Sequence, residues 1–164
     1  MRTEANEQPG ILETDTVLVR AMAEKDLEAV VAIDSAATGR RRPRYFELML
    51  QRAVKLAGMQ VSLVAELDGK AVGFLIGSLY FGEYGVMEPS ASLDSIGVSP
   101  ACRGRHVGQA LMRQLRMNLG ALHITILRTE ISWDEGELAA FFKKQGFRPS
   151  GRICLECTID PTAT

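Results

Sequence analysis

Apolar residues recur along the chain at two kinds of spacing, one typical of helices and one typical of strands. Spacings of three and four residues predict four helices, namely Glu24–Asp34, a segment with Phe46, Met49, Leu50, Ala53 and Ala57 on one face, Val107–Leu119, and Asp134 to about Gln145. Short apolar runs between turn-forming residues predict six strands, namely Thr16–Arg20, Val61–Leu67, Ala71–Leu79, Ala91–Val98, His123–Ile131 and Arg152–Ile159. The predicted order along the chain is therefore β-α-α-β-β-β-α-β-α-β.

This order of elements predicts an α/β protein in which one mixed sheet carries helices on both faces. The strand–helix–strand unit from Ala91 to Ile131 is expected to make a parallel, right-handed crossover. Asp68-Gly69 between two apolar runs predicts a tight hairpin, because glycine accepts positive φ. Asp134 and Glu137 have the spacing of a capping box, and Gly146 is placed to end the helix that follows.

Composition and charge narrow the class of protein. The chain is 46% hydrophobic and 24% charged, which is typical of a globular protein. A net charge of −1 creates no strong field, so neither nucleic acid nor a membrane is expected as a partner. No apolar run approaches the ~20 residues of a membrane helix, and the polar N-terminus does not resemble a signal peptide, so we expect a cytoplasmic protein. Residues 1–14 predict a disordered tail and residues 15–160 a single domain.

The three cysteines, Cys102, Cys154 and Cys157, predict neither a disulfide framework nor a metal site. A structural zinc site needs four ligands, and the two histidines do not have zinc-finger spacing relative to the Cys154–Cys157 pair. We therefore expect ordinary reduced thiols and no metal.

The segment from Ile96 to Met112 carries the clearest functional signal. An apolar strand end leads into a proline turn, then into a loop rich in glycine and arginine, then into an amphipathic helix. The first turn of a helix has N–H groups without intrahelical partners, and the helix dipole is positive at that end. Such a place attracts phosphate. A P-loop or a dinucleotide fingerprint fits worse, because the required glycine and lysine spacings are absent.

Three motifs in the expected order resemble the GNAT superfamily of acyl-CoA-dependent N-acyltransferases, over about Val17 to Ile159. They are Val19-Arg20 with Asp26-Leu27, the loop Arg103-Gly104-Arg105-His106-Val107-Gly108 between Val98-x-Pro100 and Ala110-Leu111, and Phe141–Phe147 ending in Gly-Phe. The resemblance implies a mostly antiparallel sheet in which the fourth and fifth strands form a parallel pair, and it implies acetyl-CoA as co-substrate. It also implies that a homodimer is possible, because dimers formed through sheet edges or exchanged strands are common among relatives.

The resemblance further implies a coenzyme A site. Its residues would be Ile96, Gly97, Val98, Arg103, Gly104, Arg105, His106, Val107, Gly108 and Gln109. Backbone groups near Ile96 and Val98 would face the pantetheine arm, and backbone N–H groups of the loop would hold the pyrophosphate. His106 stands where the family usually has glycine. Its imidazole either meets a phosphate oxygen or stays in solvent while its N–H binds.

The family reaction is direct attack of a neutral amine on the thioester, so a proton must leave the amine. Asp94 precedes Val98 by four residues, where many relatives carry an acid, and on a regular strand it would share a face with Ile96 and Val98. It is the candidate general base, with Glu130 as the competing candidate. A structural carboxylate that caps a loop or pairs with an arginine is the alternative for Asp94.

The departing thiolate is where the sequence differs from its relatives. Many relatives have a tyrosine as proton donor at the position of Phe142, which has no donor group. Glu135 likewise replaces a common asparagine. Tyr45, Tyr80 and Tyr84 are possible substitutes, and protonation by water is a further route.

The acceptor side is implied to be walled by the first two helices and the loop before the fourth strand. Candidate acceptor-binding residues are Arg40, Tyr45, Glu83 and Tyr84, with Glu88 close by in sequence. The neighbouring Arg41, Arg42 and Arg44 either bind an acidic group or form a solvated basic loop.

Three functions follow from these observations. The first is an N-acetyltransferase that acts on a primary amine of a protein or small molecule. The second is a non-catalytic sensor that binds acyl-CoA. The third is a transferase for a longer acyl group.

Overall fold

Five strands in chain order form one sheet in the computed structural model, which describes residues 17–55, 59–81 and 87–159. The strands are β1 (Leu18–Ala21), β2 (Leu63–Leu67), β3 (Lys70–Tyr80), β4 (Ser90–Val98) and β5 (Ile126–Thr129). The main helices are α1 (Leu27–Thr38), α2 (Pro43–Lys55), α3 (Val107–Ala121) and α4 (Gly136–Lys144). Pairs from β1 to β4 are antiparallel and β4–β5 is parallel, which confirms the predicted mixed sheet.

The chain divides into two compact units, Met1–Glu130 and Ile131–Thr164. The first contains all five strands with α1, α2 and α3, and the second contains α4. Residues 1–14, predicted as a disordered tail, lie outside the described residues, and the single domain over 15–160 stays a prediction.

The turns follow the local chemistry that the sequence indicated. Asp68 and Gly69 both have positive φ, 50° and 71°, as the two-residue hairpin between β2 and β3 requires. Gly39 ends α1 with a φ of 70° and donates its N–H to the carbonyl of Ser35. Pro43 begins α2 at the position where its missing N–H is not needed.

One face of the sheet packs against α1 and α2. Phe74 and Ile76 of β3 belong to this cluster, and a list of its other buried members is Met22, Val30, Val31, Ile33, Phe46, Leu50 and Val64. The apolar positions of the two helices recur at helical spacing, so each helix buries one stripe.

The opposite face packs against α3. A Cβ atom placed on Gly73 would lie 2.7 Å from Val107 Cγ1 and 3.3 Å from Leu111 Cδ1. Gly73 and Phe74 are consecutive in β3, so they point to opposite faces of the sheet. The close approach at Gly73 therefore places the start of α3 directly against the sheet, on the face away from α1 and α2. Helices on both faces, as predicted, are confirmed.

The motif residues Arg20 and Asp26 form an ion pair that joins β1 to the start of α1, with the carboxylate buried and the guanidinium partly exposed. Arg20 donates to both carboxylate oxygens of Asp26, each at 2.7 Å, and to Glu66 Oε1 in β2 at 2.7 and 2.9 Å. Burial opposes ionisation of Asp26, but the hydrogen bonds from Arg20 and from the N–H of Ala23 outweigh it and lower the pKa of this carboxyl. The pKa of Arg20 is raised, chiefly by its hydrogen bonds to Asp26.

Two details near the C-terminus differ from the sequence prediction. Residues Arg152–Ile159 form no strand, and Ile153 and Leu155 are 86% and 88% exposed. Alternating apolar residues favour a strand, but a strand forms only where a neighbouring strand supplies hydrogen bonds. The predicted fifth strand, His123–Ile131, is likewise shortened to four residues.

The predicted capping box at α4 is also wrong. The helix begins at Gly136 with Glu135 as its N-cap, and no side chain caps the first turn. The carboxylate of Glu135 instead accepts the N–H of Ser132. Gly146, with a φ of 83°, follows the end of the helix as predicted.

Candidate active site

A β-bulge interrupts β4 at Asp94. Ser95 lies opposite Ile76 of β3, and Leu93 lies opposite Gly77, so Asp94 is an extra residue without a partner position. A bulge changes which face the following side chains point to. The bulge thus separates two stretches of β4 that have different alternation.

The bulge corrects the predicted orientation of Asp94. On a regular strand its side chain would share a face with Ile96, which lies opposite Leu75. The carboxylate instead accepts a hydrogen bond from the hydroxyl of Ser78. Ser78 and Ile76 are two residues apart on β3, so they share the face that packs against α1 and α2. Asp94 therefore lies on that face, away from Ile96 and Val98.

The sheet opens between β4 and β5 at the same place. Their pairing runs from Ser90 to Leu93 and stops before the bulge. The last carbonyl of the paired part, Leu93 O, accepts a hydrogen bond of 2.9 Å from the hydroxyl of Thr129. In the described part of the chain, no strand pairs with this edge of β4 from Asp94 to Val98. The backbone groups of that edge thus have no strand partner among the described residues.

The loop after β4 is anchored at its start and turns sharply. The N–H of Ser99 donates to Val72 O at 2.8 Å, and Pro100–Cys102 form a short 3-10 helix with Cys102 buried. Gly104 and His106 then adopt positive φ values of 80° and 60°. Histidine is among the non-glycine residues that tolerate this conformation best.

The loop ends at the N-terminus of α3. The N–H of Ala110 donates the first intrahelical hydrogen bond, to the carbonyl of His106. The N–H groups of Val107, Gly108 and Gln109 therefore belong to the first turn and have no intrahelical acceptor. The imidazole Nδ1 of His106 is exposed and lies 3.0 Å from Gln109 Oε1.

Two exposed arginines, Arg103 and Arg105, lie in the loop that precedes these N–H groups. The N–H groups and the helix dipole make this end of the sheet attractive to phosphate, and Arg103 adds a positive charge beside them.

Residues of α2 approach the open part of β4 through Phe74. A Cβ atom on Gly97 would lie 2.5 Å from the ring of Phe74, so only glycine lets that ring lie against β4. The ring of Phe46 contacts Phe74 edge to face at 5.5 Å, and Tyr45 contacts Phe46 at 4.9 Å. Tyr45, a predicted acceptor-binding residue, is 39% exposed at the end of this chain of rings.

One arginine of the predicted basic loop forms an ion pair within the protein. Arg42 donates to both oxygens of the buried Asp34, at 2.6 and 3.1 Å, and its guanidinium lies 5.1 Å from the ring centre of Tyr45. These hydrogen bonds to Asp34 raise the pKa of Arg42 against the opposing effect of burial. Arg40, Arg41 and Arg44 are exposed.

The structure gives less information about the other predicted site residues. Glu83 and Tyr84 lie outside the described residues. Glu130 is exposed one residue beyond the end of β5, and Glu88 is exposed before β4. In the second unit, Phe142 is buried with its ring near Phe141 and Phe147.

Two kinds of feature are absent from the described residues. Over residues 17–55, 59–81 and 87–159, no group of three His, Cys, Asp or Glu side chains is arranged to hold a metal ion. Over the same ranges, no helix has both the length and the apolar character needed to cross a membrane.

The structure also brings in residues that the sequence did not single out. Ser78 and Thr129 contact β4 residues at the bulge, and Arg128 contacts Ser90 at the start of β4. Serine and threonine in strands give no chemical signal by themselves, and these contacts depend on strand register. Register was not predictable for the parallel β4–β5 pair.

Comparison with known families settles the class. A family model described as an acetyltransferase (GNAT) domain matches residues 59–149, more than half of the chain. The chain belongs to the GNAT family. Its matched region includes β2 to β5, the bulge, the loop and α3, which together contain the geometry described above.

Individual relatives agree with this family. An L-2,4-diaminobutyric acid acetyltransferase from Nocardia farcinica is 37% identical over 99 residues, 60% of this chain and 49% of that protein. The match thus spans about half of that relative's length. The Ard1 crystal structure from Thermoplasma volcanium superposes with a TM-score of 0.69 at 25% identity, covering 82% of this chain and 84% of the other.

A more distant structure shows the fold alone. The aminoglycoside N-acetyltransferase AAC(6′)-Iy, solved with CoA, has a TM-score of 0.69 at 18% identity and covers 87% of this chain and 95% of that one. The GNAT architecture is therefore shared across low sequence identity.

Proposed function

We propose that this GNAT protein transfers the acetyl group of acetyl-CoA to a primary amine of a small molecule. The observation that carries the proposal is the unpaired edge of β4, which begins at the bulge and runs directly into the loop before α3. A ligand along this edge would have strand-like hydrogen-bonding groups beside it and an anion-binding helix end beyond it.

The residues present fit coenzyme A. Backbone groups of Ile96, Gly97 and Val98 would hold the pantetheine arm, and the loop Arg103–Gly108 with the N–H of Gln109 would hold the pyrophosphate. The guanidinium of Arg103, exposed in this loop, adds a positive charge that suits a diphosphate. When bound, acetyl-CoA supplies an acetyl thioester that is activated toward an amine.

Asp94 is the proposed general base. Its carboxylate lies at the point where β4 and β5 separate, and the hydrogen bond from Ser78 restrains one of its oxygens. In this role it takes the proton of the incoming ammonium group, directly or through water, so that the nitrogen lone pair becomes available. Glu130 remains the competing candidate, but it is exposed beyond the end of β5.

The departing thiolate has no donor at Phe142. Ordinary thiols have a pKa of ~8.5, so the thiolate is a fair leaving group that water can protonate. Two of the tyrosines named as substitute proton donors, Tyr45 and Tyr80, are among the described residues. They are 39% and 36% exposed.

The name of one relative supports a small-amine acceptor. That relative is named for diaminobutyric acid, a small molecule with primary amines. Tyr45 and Arg40, and the region of Glu83 and Tyr84, are the proposed wall of the acceptor pocket.

Release of free thiol from acetyl-CoA tests the proposal, measured with and without each member of a panel of small diamines, amino acids and aminoglycosides. We expect release that depends on at least one amine, with a kcat lowered about 10²- to 10⁴-fold in Asp94→Asn. Asp68→Asn, in the hairpin turn, is the matched control and should retain full activity.

Two results would count against the proposal. Tight binding of acetyl-CoA with no amine-dependent release would favour the sensor. A faster reaction with a longer acyl-CoA would favour another acyl donor.

A further inference from the structure

Arg128 is a part-buried cation in β5 that has no acidic partner among the described residues. Its Nη1 donates a hydrogen bond of 2.9 Å to the hydroxyl of Ser90, which is 5% exposed. Among the described residues, no carboxylate lies within ion-pair distance of this guanidinium. Arginines that leave solvent are usually paired with an acid. The remaining donors of Arg128 are therefore suited to an anion from outside the described chain.

The position of Arg128 relates it to the proposed base. Arg128 lies opposite Ser92 in the β4–β5 register, and Ser92 lies opposite Ser78 in the β3–β4 register. Paired positions share a face of a sheet, so Arg128 lies on the same face as Ser78 and the carboxylate of Asp94. A positive and a negative group thus occupy one face, on either side of β4.

The separation of these two groups is set by the strand. The guanidinium is fixed at Ser90, and the Asp94 carboxylate is held by Ser78, which is at the level of Ser92. Two residues of a strand span about 7 Å, so Ser90 and the level of Ser92 are that far apart along β4. One small acceptor that carries both an amine and a carboxylate can therefore reach both groups.

We propose that Arg128 binds the carboxylate of the acceptor, and that the acceptors are amines that also carry a carboxylate, such as diamino acids. The inference rests on the proposed function, because it assigns the second end of the same acceptor. The planar guanidinium binds a carboxylate through two parallel hydrogen bonds, and Ser90 holds it in place beforehand. Asp94 then receives the amine at the other end.

Pairs of acceptors that differ in one group test this assignment. Each diamino acid (2,4-diaminobutyrate, ornithine and lysine) is compared with the diamine of the same chain length that lacks the carboxylate. We expect the wild-type kcat/KM to be higher for the amino acid of at least one pair. Arg128→Gln should lower kcat/KM for that amino acid about 10- to 100-fold, mainly through KM, and leave the diamine unchanged.

Three further variants separate recognition from structure. Arg128→Lys keeps the charge without the planar fork and should recover part of the preference. Ser90→Ala should weaken it in the same direction by a smaller factor. Arg113→Gln, on an exposed position of α3, removes the same charge elsewhere and should change neither acceptor.

The outcomes distinguish this inference from the proposed function. Equal kcat/KM for every pair in the wild type, or an equal loss for both members of a pair in Arg128→Gln, would overturn the carboxylate assignment while amine acetylation stands. Absence of amine-dependent thiol release in the wild type would overturn the proposed function, and this inference with it.

Discussion

The Ser78 hydroxyl donates its hydrogen bond to the Asp94 carboxylate across a β-bulge in β4. Without the extra residue, Asp94 would point to the other face, toward α3. The bulge and Ser78 together therefore determine that an acid stands on the face of α1 and α2, at the place where β4 and β5 separate. Ser78 is thus a positioning residue for the proposed base.

Replacing Ser78 by alanine tests this positioning role. Without the hydroxyl, the carboxylate can rotate away from the incoming amine, so kcat should fall about tenfold, within the range that general-base catalysis supplies. KM for acetyl-CoA should not change, because the coenzyme A loop is untouched. Ser78→Thr keeps the hydroxyl and should restore kcat. Steady-state thiol release measures each constant, and an equal loss in both variants would contradict the assignment.

Gly97 should tolerate no side chain, since its missing Cβ makes room for the Phe74 ring. Gly97→Ala is expected to lower the free energy of unfolding by about 1–3 kcal/mol through overpacking. Gly120→Ala is the control, because nothing lies within 4 Å of a Cβ placed there on α3. That change should raise stability by up to about 1 kcal/mol. Urea denaturation of both variants checks the contrast, and equal effects would contradict the packing described.

The Asp26–Arg20 pair should make stability depend on pH in the acid range. The folded pKa of Asp26 lies below its ordinary value of 3.8, so the folded state favours the ionised carboxyl. This contribution is complete above that value and is lost as the pH falls through the folded pKa. Asp26→Asn should flatten that part of the profile and cost about 1–3 kcal/mol at neutral pH, because Arg20 loses its charged hydrogen bonds to Asp26 and keeps only those to Glu66. Chemical denaturation from pH 7 to pH 3 measures both effects, and parallel profiles would contradict the prediction.

Arg42 is expected to stabilise the fold through its hydrogen bonds to Asp34, in addition to contributing positive charge. Arg42→Ala leaves the buried carboxylate of Asp34 without its donor and should cost about 1–3 kcal/mol. Arg44→Ala removes the same charge from an exposed position and should stay within about 0.5 kcal/mol of wild type. Thermal unfolding of the two variants measures the difference. Equal stabilities would indicate that Arg42 only belongs to a solvated basic loop.

The sequence predicted most of the fold because its local signals agreed with the tertiary structure. Asp68-Gly69 predicted the hairpin, and the helical spacing of apolar residues predicted α3. The last predicted strand failed because residues 152–159 carry a strand-like pattern without a paired neighbour. Pairing is a property of the whole sheet, which a pattern within one segment cannot report.

The candidate site was predictable in part for a similar reason. The loop Arg103–Gly108 could be recognised because its chemistry is contained in consecutive residues. The face of Asp94 could not, because one extra residue in β4 reverses the alternation and leaves no mark in the sequence. The pairing of Arg128 with Ser90 depends on a parallel register between segments 38 residues apart.

Calorimetric titration with coenzyme A tests the central claim most directly, which is that the edge of β4 and the backbone of the following loop form the cofactor site. We expect saturable binding by the wild type, and similar affinity in His106→Gly, because glycine keeps the N–H and accepts a φ of 60° more readily. Absence of binding in the wild type would contradict the claim. Loss of binding in His106→Gly would indicate that the imidazole, and not the backbone N–H, recognises the phosphate.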